Sequence, residues 1–155
     1  MSEKALFKIA LAKAMAQCSR REICCDDIRN KLDTWGIESI DREKIIGILI
    51  KENFINESRY AAAFVRDKFK YNKWGKLKIS AHLRIKKLPS EVITSALDSI
   101  DNDLYTKFLR KLIEGHRRSV KAKNQYDLKA KLLRYGLSKG FESSLLYDIL
   151  NNLEE

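Results

Sequence analysis

The chain offers little to nucleophilic or metal chemistry. Its two histidines, His82 and His116, stand apart, and Cys18, Cys24 and Cys25 are odd in number and lack C-x-x-C spacing. No zinc-type ligand set and no disulfide framework can be assembled from them. The six glycines (36, 47, 75, 115, 136 and 140) are isolated, so no Gly-rich phosphate loop exists. The acidic pairs Asp26-Asp27 and Asp101-x-Asp103 fall at helix starts, where capping accounts for them. No nucleophile and base stand at a productive spacing, and the expectation is a protein that is not an enzyme and needs no metal or cofactor.

What remains is cationic. Arg59, Arg66, Lys70 and Lys73 recur at helical spacing, and Tyr71 and Trp74 interleave with Lys70, Lys73, Lys76 and Lys78; Arg84, Lys86 and Lys87 follow. Cations hold phosphates and aromatic rings stack bases, so these ten residues other than Tyr71 are the candidate binding set for nucleic acid or an acidic protein surface. The plainer readings stand beside it: a charged stripe is what the solvated back of any amphipathic helix carries, and Trp74 before Gly75 can plug a helix junction.

The charge is localised. Residues 56–97 hold ten Lys/Arg and three acids, +7 of the chain's +10, while residues 1–55 and 98–155 contribute +1 and +2. A positive field confined to one segment is an electrostatic footprint for a polyanion.

Helices must position these groups. The pattern predicts one from about Glu57 to Lys73, capped by Asn56 and ended by Gly75, with Tyr60, Ala61, Phe64, Val65 and Phe69 opposite the cationic stripe. A second, from about Lys76 to Lys87, has Ile79, His82 and Leu83 on one face and Leu77, Ala81 and Ile85 on nearly the opposite one. Its second apolar face must be covered either by the same chain or by a partner flanked by Lys78, Arg84 and Lys86. Pro89 suits the first position of a third helix through Val92, Ile93, Ala96 and Leu97.

The same order occurs on either side. Upstream, a helix through Leu6, Ile9, Ala10 and Ala14 precedes one with Ile28 and Leu32, a Trp35-Gly36-Ile37 turn, and a helix through Ile45, Ile46, Leu49 and Ile50. Downstream, Asp103 is placed to cap a helix through Leu104, Phe108, Leu109 and Leu112, with Gly115 at its end and a basic loop over residues 116–123. The closing helix carries Leu145, Leu146, Ile149 and Leu150; its approach aligns by Gly136-Leu137 or by Gly140-Phe141, and the second keeps the four-residue step from Leu88 to Val92. A period of about 50 residues predicts an all-α chain of three tandem three-helix repeats, at 1–55, 56–101 and 102–155, stacked as an elongated, curved array. One proline and no low-complexity tract leave no linker. No apolar stretch reaches the roughly 20 residues of a membrane span, and Lys8 and Lys13 interrupt the only run like a signal segment. A cytoplasmic monomer with no membrane contact is expected.

Several motifs together resemble a known family. Phe54-Ile55-Asn56-Glu57-Ser58-Arg59-Tyr60-Ala61 and Lys73-Trp74-Gly75-Lys76-x-x-Ile79-x-x-x-Leu83 resemble conserved segments of the bacterial RecX regulators. Ile28-x-x-Lys31-Leu32-x-x-x-Gly36 and Lys139-Gly140-Phe141 are similar to two more. The resemblance implies three tandem three-helix units and a modulator, mainly a negative regulator, of the RecA recombinase. Such a protein would bind the RecA–DNA filament along its groove and limit filament growth, ATP hydrolysis and co-protease activity, within recombination and the DNA-damage response. The alternative from the residues themselves is a helical module that binds single- or double-stranded DNA directly, without RecA.

Overall fold

The computed structural model describes residues 2–153. Nine α-helices occur among them: α1 Glu3–Arg20, α2 Cys25–Thr34, α3 Ser39–Lys51, α4 Glu57–Lys70, α5 Lys76–Ile85, α6 Ser90–Asp98, α7 Asn102–Arg117, α8 Gln125–Ser138 and α9 Ser143–Asn151; the described residues contain no strand. The closest packing is within triplets, α2 on α3, α4 on α5 and α6, and α8 on α7 and α9. The chain is thus a tandem array of three-helix repeats. It exposes 9852 Å² at a mass of 18.0 kDa, against about 8,000 Å² for a compact monomer of that size, which fits an extended body.

Each triplet uses the same local devices. The first helices are capped by Ser2, Asn56 and Asp101, whose side chains accept from Ala5 N, Arg59 N and Leu104 N. The second helices end identically: Gly36, Lys87 and Gly140 take φ of 82°, 63° and 93°, and the N–H groups of Ile37, Leu88 and Phe141 donate to the carbonyls of Leu32, Leu83 and Gly136. This left-handed stop turns the next apolar side chain inward, and Ile37, Leu88 and Phe141 are all buried. The Gly140-Phe141 alignment is therefore the structural one.

Several boundaries differ from expectation. α4 stops at Lys70, and Lys73 sits at φ 59° beyond its end because Trp74 N reaches back to Lys68 O. Lys73 consequently leaves the helical stripe. Asp101, two residues earlier than expected, caps α7, and Gly115 does not end it; α7 continues through His116 to Arg117. Pro89 occupies the cap position, one residue before α6. His82 is exposed, with its ring on Trp74 at 4.5 Å, and does not share the buried face of Ile79 and Leu83.

Two cores result. One is local to α1–α3, around Ala14, Ile28, Leu32, Ile45 and Leu49. The other runs without a break from α4 to α9 and takes in Cys24 from the first triplet. Phe141, the largest fully buried side chain, lies 5.4 Å from the ring of Tyr105, which lies 5.7 Å from Phe69.

Candidate polyanion-binding groove

The ten sequence-derived candidates separate into three groups. Arg59, Lys86 and Lys87 join the first triplet to the second. Arg59 Nε donates to Glu22 at 2.7 Å, and its terminal nitrogen donates to the carbonyls of Asn53 and Phe54. Lys86 Nζ meets Asp27 at 2.6 Å, and Lys87 Nζ lies 3.6 Å from Asp26. The Asp27 hydrogen bond holds the Lys86 ammonium above the ordinary lysine range.

Lys76 and Lys78 belong to the junction of the second and third triplets, and Trp74 packs beside it within the second. The half-buried Trp74 ring contacts Phe64 edge-on and carries Lys68 and Lys78 over it at 5.0 and 4.7 Å. Lys78 also reaches Ser138 O at 3.5 Å, and Lys76 Nζ lies 4.8 Å above Tyr105. Gly75, the N-cap of α5, has no side chain to cap with; the N–H groups here donate across the junction instead, Gly75 N to Lys139 O, Leu77 N to Gly140 O and Lys76 N to Tyr105 Oη. Tyr105 Oη in turn donates to Glu142, and burial together with that carboxylate pushes its ionisation far upward. A Cβ on Gly75 would lie 2.4 Å from Gly140 O, and one on Gly140 would lie 2.2 Å from Lys78 Cβ. Backbone meets backbone here, and only glycine fits.

The remaining four are Arg66, Lys70, Lys73 and Arg84. Arg84 is exposed on α5 and makes no ion pair among the described residues. The other three line a groove with α7. Two hollows of 610 and 530 Å³ lie along it, a third of 600 Å³ is lined by α7 and its C-cap alone, and Phe108 lines all three. The first lies between Arg66, Phe69 and Lys70 of α4 and Leu104 of α7. The second passes from Lys73 to His116 and Tyr135, and the third follows Lys107, Arg110, Lys111 and Arg118 along α7. The His116 ring stacks on Tyr135 at 3.6 Å and 7°.

Seven Lys/Arg line the three hollows and only two acids, Asp101 and Glu114. Both acids have local work: Asp101 caps α7, and Glu114 lies 3.9 Å from Arg117. Among the described residues Arg66 pairs only with its neighbour Asp67 at 3.8 Å, with its side chain 67% exposed, and Lys70 rests over Tyr71. Among the described residues no ion pair holds Lys73, Lys107, Arg110, Lys111 or Arg118. Open cations above an apolar floor, with Phe108 packed on Phe69 at 4.4 Å, can hold a chain of phosphates or an acidic surface.

Lys107, Arg110, Lys111 and Arg118 were absent from the sequence-derived set. Their signal was the i, i+3, i+4 spacing of cations beside Leu104, Phe108 and Leu112, and it was diluted because acids elsewhere bring residues 98–155 to +2. No group of His, Cys, Asp and Glu among the described residues could hold a metal ion, and no described helix is long and apolar enough to cross a membrane. Burial pushes the Cys24 and Cys25 thiols up to about 11 and about 12, with Glu57 adding to the rise at Cys25.

Fold and groove define a tandem three-helix repeat protein with a basic trough across its second and third units. A family model described as RecX, second three-helix domain, matches residues 56–97. The chain is 30% identical over 131 residues to the regulatory protein RecX of Clostridium perfringens (strain SM101 / Type A), covering 82% of this chain and 58% of that protein. To RecX of Streptococcus agalactiae serotype V it is 30% identical over 124 residues, covering 79% and 47%. It therefore spans about half the length of these relatives. The crystal structure of RecX from Lactobacillus salivarius superposes with a TM-score of 0.84 at 22% identity, over 97% of both chains. A second RecX crystal structure gives 0.87 at 22% identity, over 97% of this chain and 74% of the other. The chain belongs to the RecX family of regulatory proteins.

Proposed function

We propose that this chain modulates the RecA recombinase, mainly as a negative regulator, by binding the RecA–DNA filament along its groove and limiting filament growth, ATP hydrolysis and co-protease activity. Family membership supports the partner. The observation that carries the mode of binding is the trough around Phe108, with seven cations against two locally engaged acids. An extended body suits a long ligand, because contacts repeated along a polymer add without a closed cleft. In this reading Arg66, Lys70 and Lys73 of the sequence-derived set work with Lys107, Arg110 and Lys111, while Arg59, Lys86 and Lys87 hold the first unit, residues 1–55, to the second, residues 56–101.

RecA ATPase measured on single-stranded DNA tests this. Sub-stoichiometric protein is expected to lower rate and extent; no change in either contradicts the reading. A second reading, direct binding to DNA without RecA, is favoured by the Phe108 floor, which suits a nucleotide base as well as a protein side chain. A direct binder loses affinity for bare DNA steeply with salt; a filament regulator prefers RecA-coated to bare DNA.

A further inference from the structure

α5 is apolar on two sides, and only one is used by the fold. Ile79 and Leu83 are fully buried. On the opposite side Leu77, Ala81 and Ile85 form one row over successive turns, with Leu77 56% and Ile85 71% exposed and Ala81 exposed between them. The outward centre of a solvated helix is ordinarily polar. Here it is aliphatic, and the polar groups stand at its margins, Arg84 on one side and Lys78 with His82 on the other.

Of the two coverings the sequence allows for this second face, a neighbouring part of the chain does not supply one. α5 meets the third unit through the backbone of its first turn, and that contact leaves the row outside. The chemistry of the row selects what could cover it. Residues 72–90 contain no Asp or Glu, so no carboxylate on this segment repels an acidic partner, and Arg84, exposed beside the row with no ion pair among the described residues, is the cation that faces it. Nucleic acid fits poorly: three aliphatic side chains neither stack on a base nor hold a phosphate, and Lys78 is drawn onto Trp74 and Ser138 O. An amphipathic protein segment fits, apolar along its centre and acidic at its edges. The row runs about 12 Å along the helix, which makes a small contact of the transient kind. Such a contact gains effect when a second contact on the same molecule holds the partner nearby.

We propose that the outward face of α5 docks an acidic-flanked amphipathic segment of the filament protein itself, with Leu77, Ala81 and Ile85 taking its apolar residues and Arg84 its carboxylates. The choice of that protein rests on the filament reading given under Proposed function. The two surfaces then divide the filament between them, the α4–α7 groove taking the polyanion and α5 the protein.

The test compares wild type with Leu77→Ser/Ile85→Ser, with Leu77→Ala/Ile85→Ala as a helix-favouring second pair, and with Arg84→Glu. Binding is measured to RecA-coated and to bare single-stranded DNA, with sedimentation of the free protein alongside. Each variant is expected to weaken binding to coated DNA by about tenfold or more while bare-DNA affinity stays within about twofold. Three outcomes overturn the proposal: coated-DNA binding unchanged in the variants, an equal loss on bare DNA, or a wild-type dimer that the variants dissociate, which would make a second copy the occupant. Wild type failing to bind RecA-coated DNA at all removes the filament reading, and with it the partner assigned to α5. That result differs visibly from wild type binding and the variants binding equally well.

Discussion

The two junctions of the molecule are built from opposite materials. Between the first and second units, Glu22, Asp26 and Asp27 meet Arg59, Lys87 and Lys86, and Cys24 is the buried residue of the first unit that enters the central core. Between the second and third units the core is continuous, rings pack from Phe69 through Tyr105 to Phe141, and backbone touches backbone at Gly75 and Gly140. Partly exposed ion pairs contribute about 0–1 kcal/mol each, whereas emptying a buried aromatic site costs about 3–5 kcal/mol. The second and third units therefore behave as one body with the first appended, and the basic groove lies wholly on that body. A groove shared by two units keeps its shape only where they are fused.

The contrast can be broken most forcefully at Phe141. Phe141→Ala should cost about 3–5 kcal/mol in denaturant unfolding, and a loss below about 1 kcal/mol would mean that the second and third units do not share a core. Gly140→Ala comes next. A left-handed non-glycine costs about 1–2 kcal/mol and overpacking about 1–3, so roughly 3 kcal/mol is expected, because the new Cβ would collide with Lys78. A neutral Gly140→Ala would show that the close approach can relax.

At the other junction the effects shrink and become salt-dependent. Lys86→Gln and Arg59→Gln should each cost about 1 kcal/mol or less, and the difference from wild type should narrow in molar salt, since these pairs are partly exposed. A salt-independent loss of several kcal/mol would mean that the first junction is as firmly built as the second. The smallest effect is chemical. Cys24 and Cys25, pushed up to about 11 and about 12, gain their thiolates only as pH rises through those values. Alkylation of the folded protein at pH 8 should be slow, and rapid labelling there would show that this junction opens.

Much of the fold was legible because its signals are local. Asn56 caps α4 from three residues away, and the Gly140-Phe141 stop repeats Gly36-Ile37 and Lys87-Leu88 in hydrogen-bond pattern. Lys87 shows the limit, since it takes a left-handed φ with no glycine to announce it. The proposed binding surface was less legible because charge pairing is not local. Arg59 and Glu22 are 37 residues apart, and Lys86 and Asp27 are 59 apart; nothing along the chain marks these cations as engaged. Conversely, the groove needs α4 and α7 from different units, and the cations of α7 sit in a third of the chain that is nearly balanced in charge. The motifs that carry the family resemblance, around Arg59, Gly75 and Gly140, prove to be the joints.

The most direct test sets groove against joint in one assay, binding to RecA-coated single-stranded DNA with melting temperature measured on the same samples. Arg66→Glu/Lys111→Glu should bind at least about tenfold more weakly with its melting temperature kept, since exposed substitutions cost about 0.5 kcal/mol or less. Arg59→Gln/Lys86→Gln should bind as wild type and melt lower. A groove variant that binds like wild type, or a joint variant that loses binding while its stability holds, would contradict the assignment of the contact surface to the α4–α7 groove.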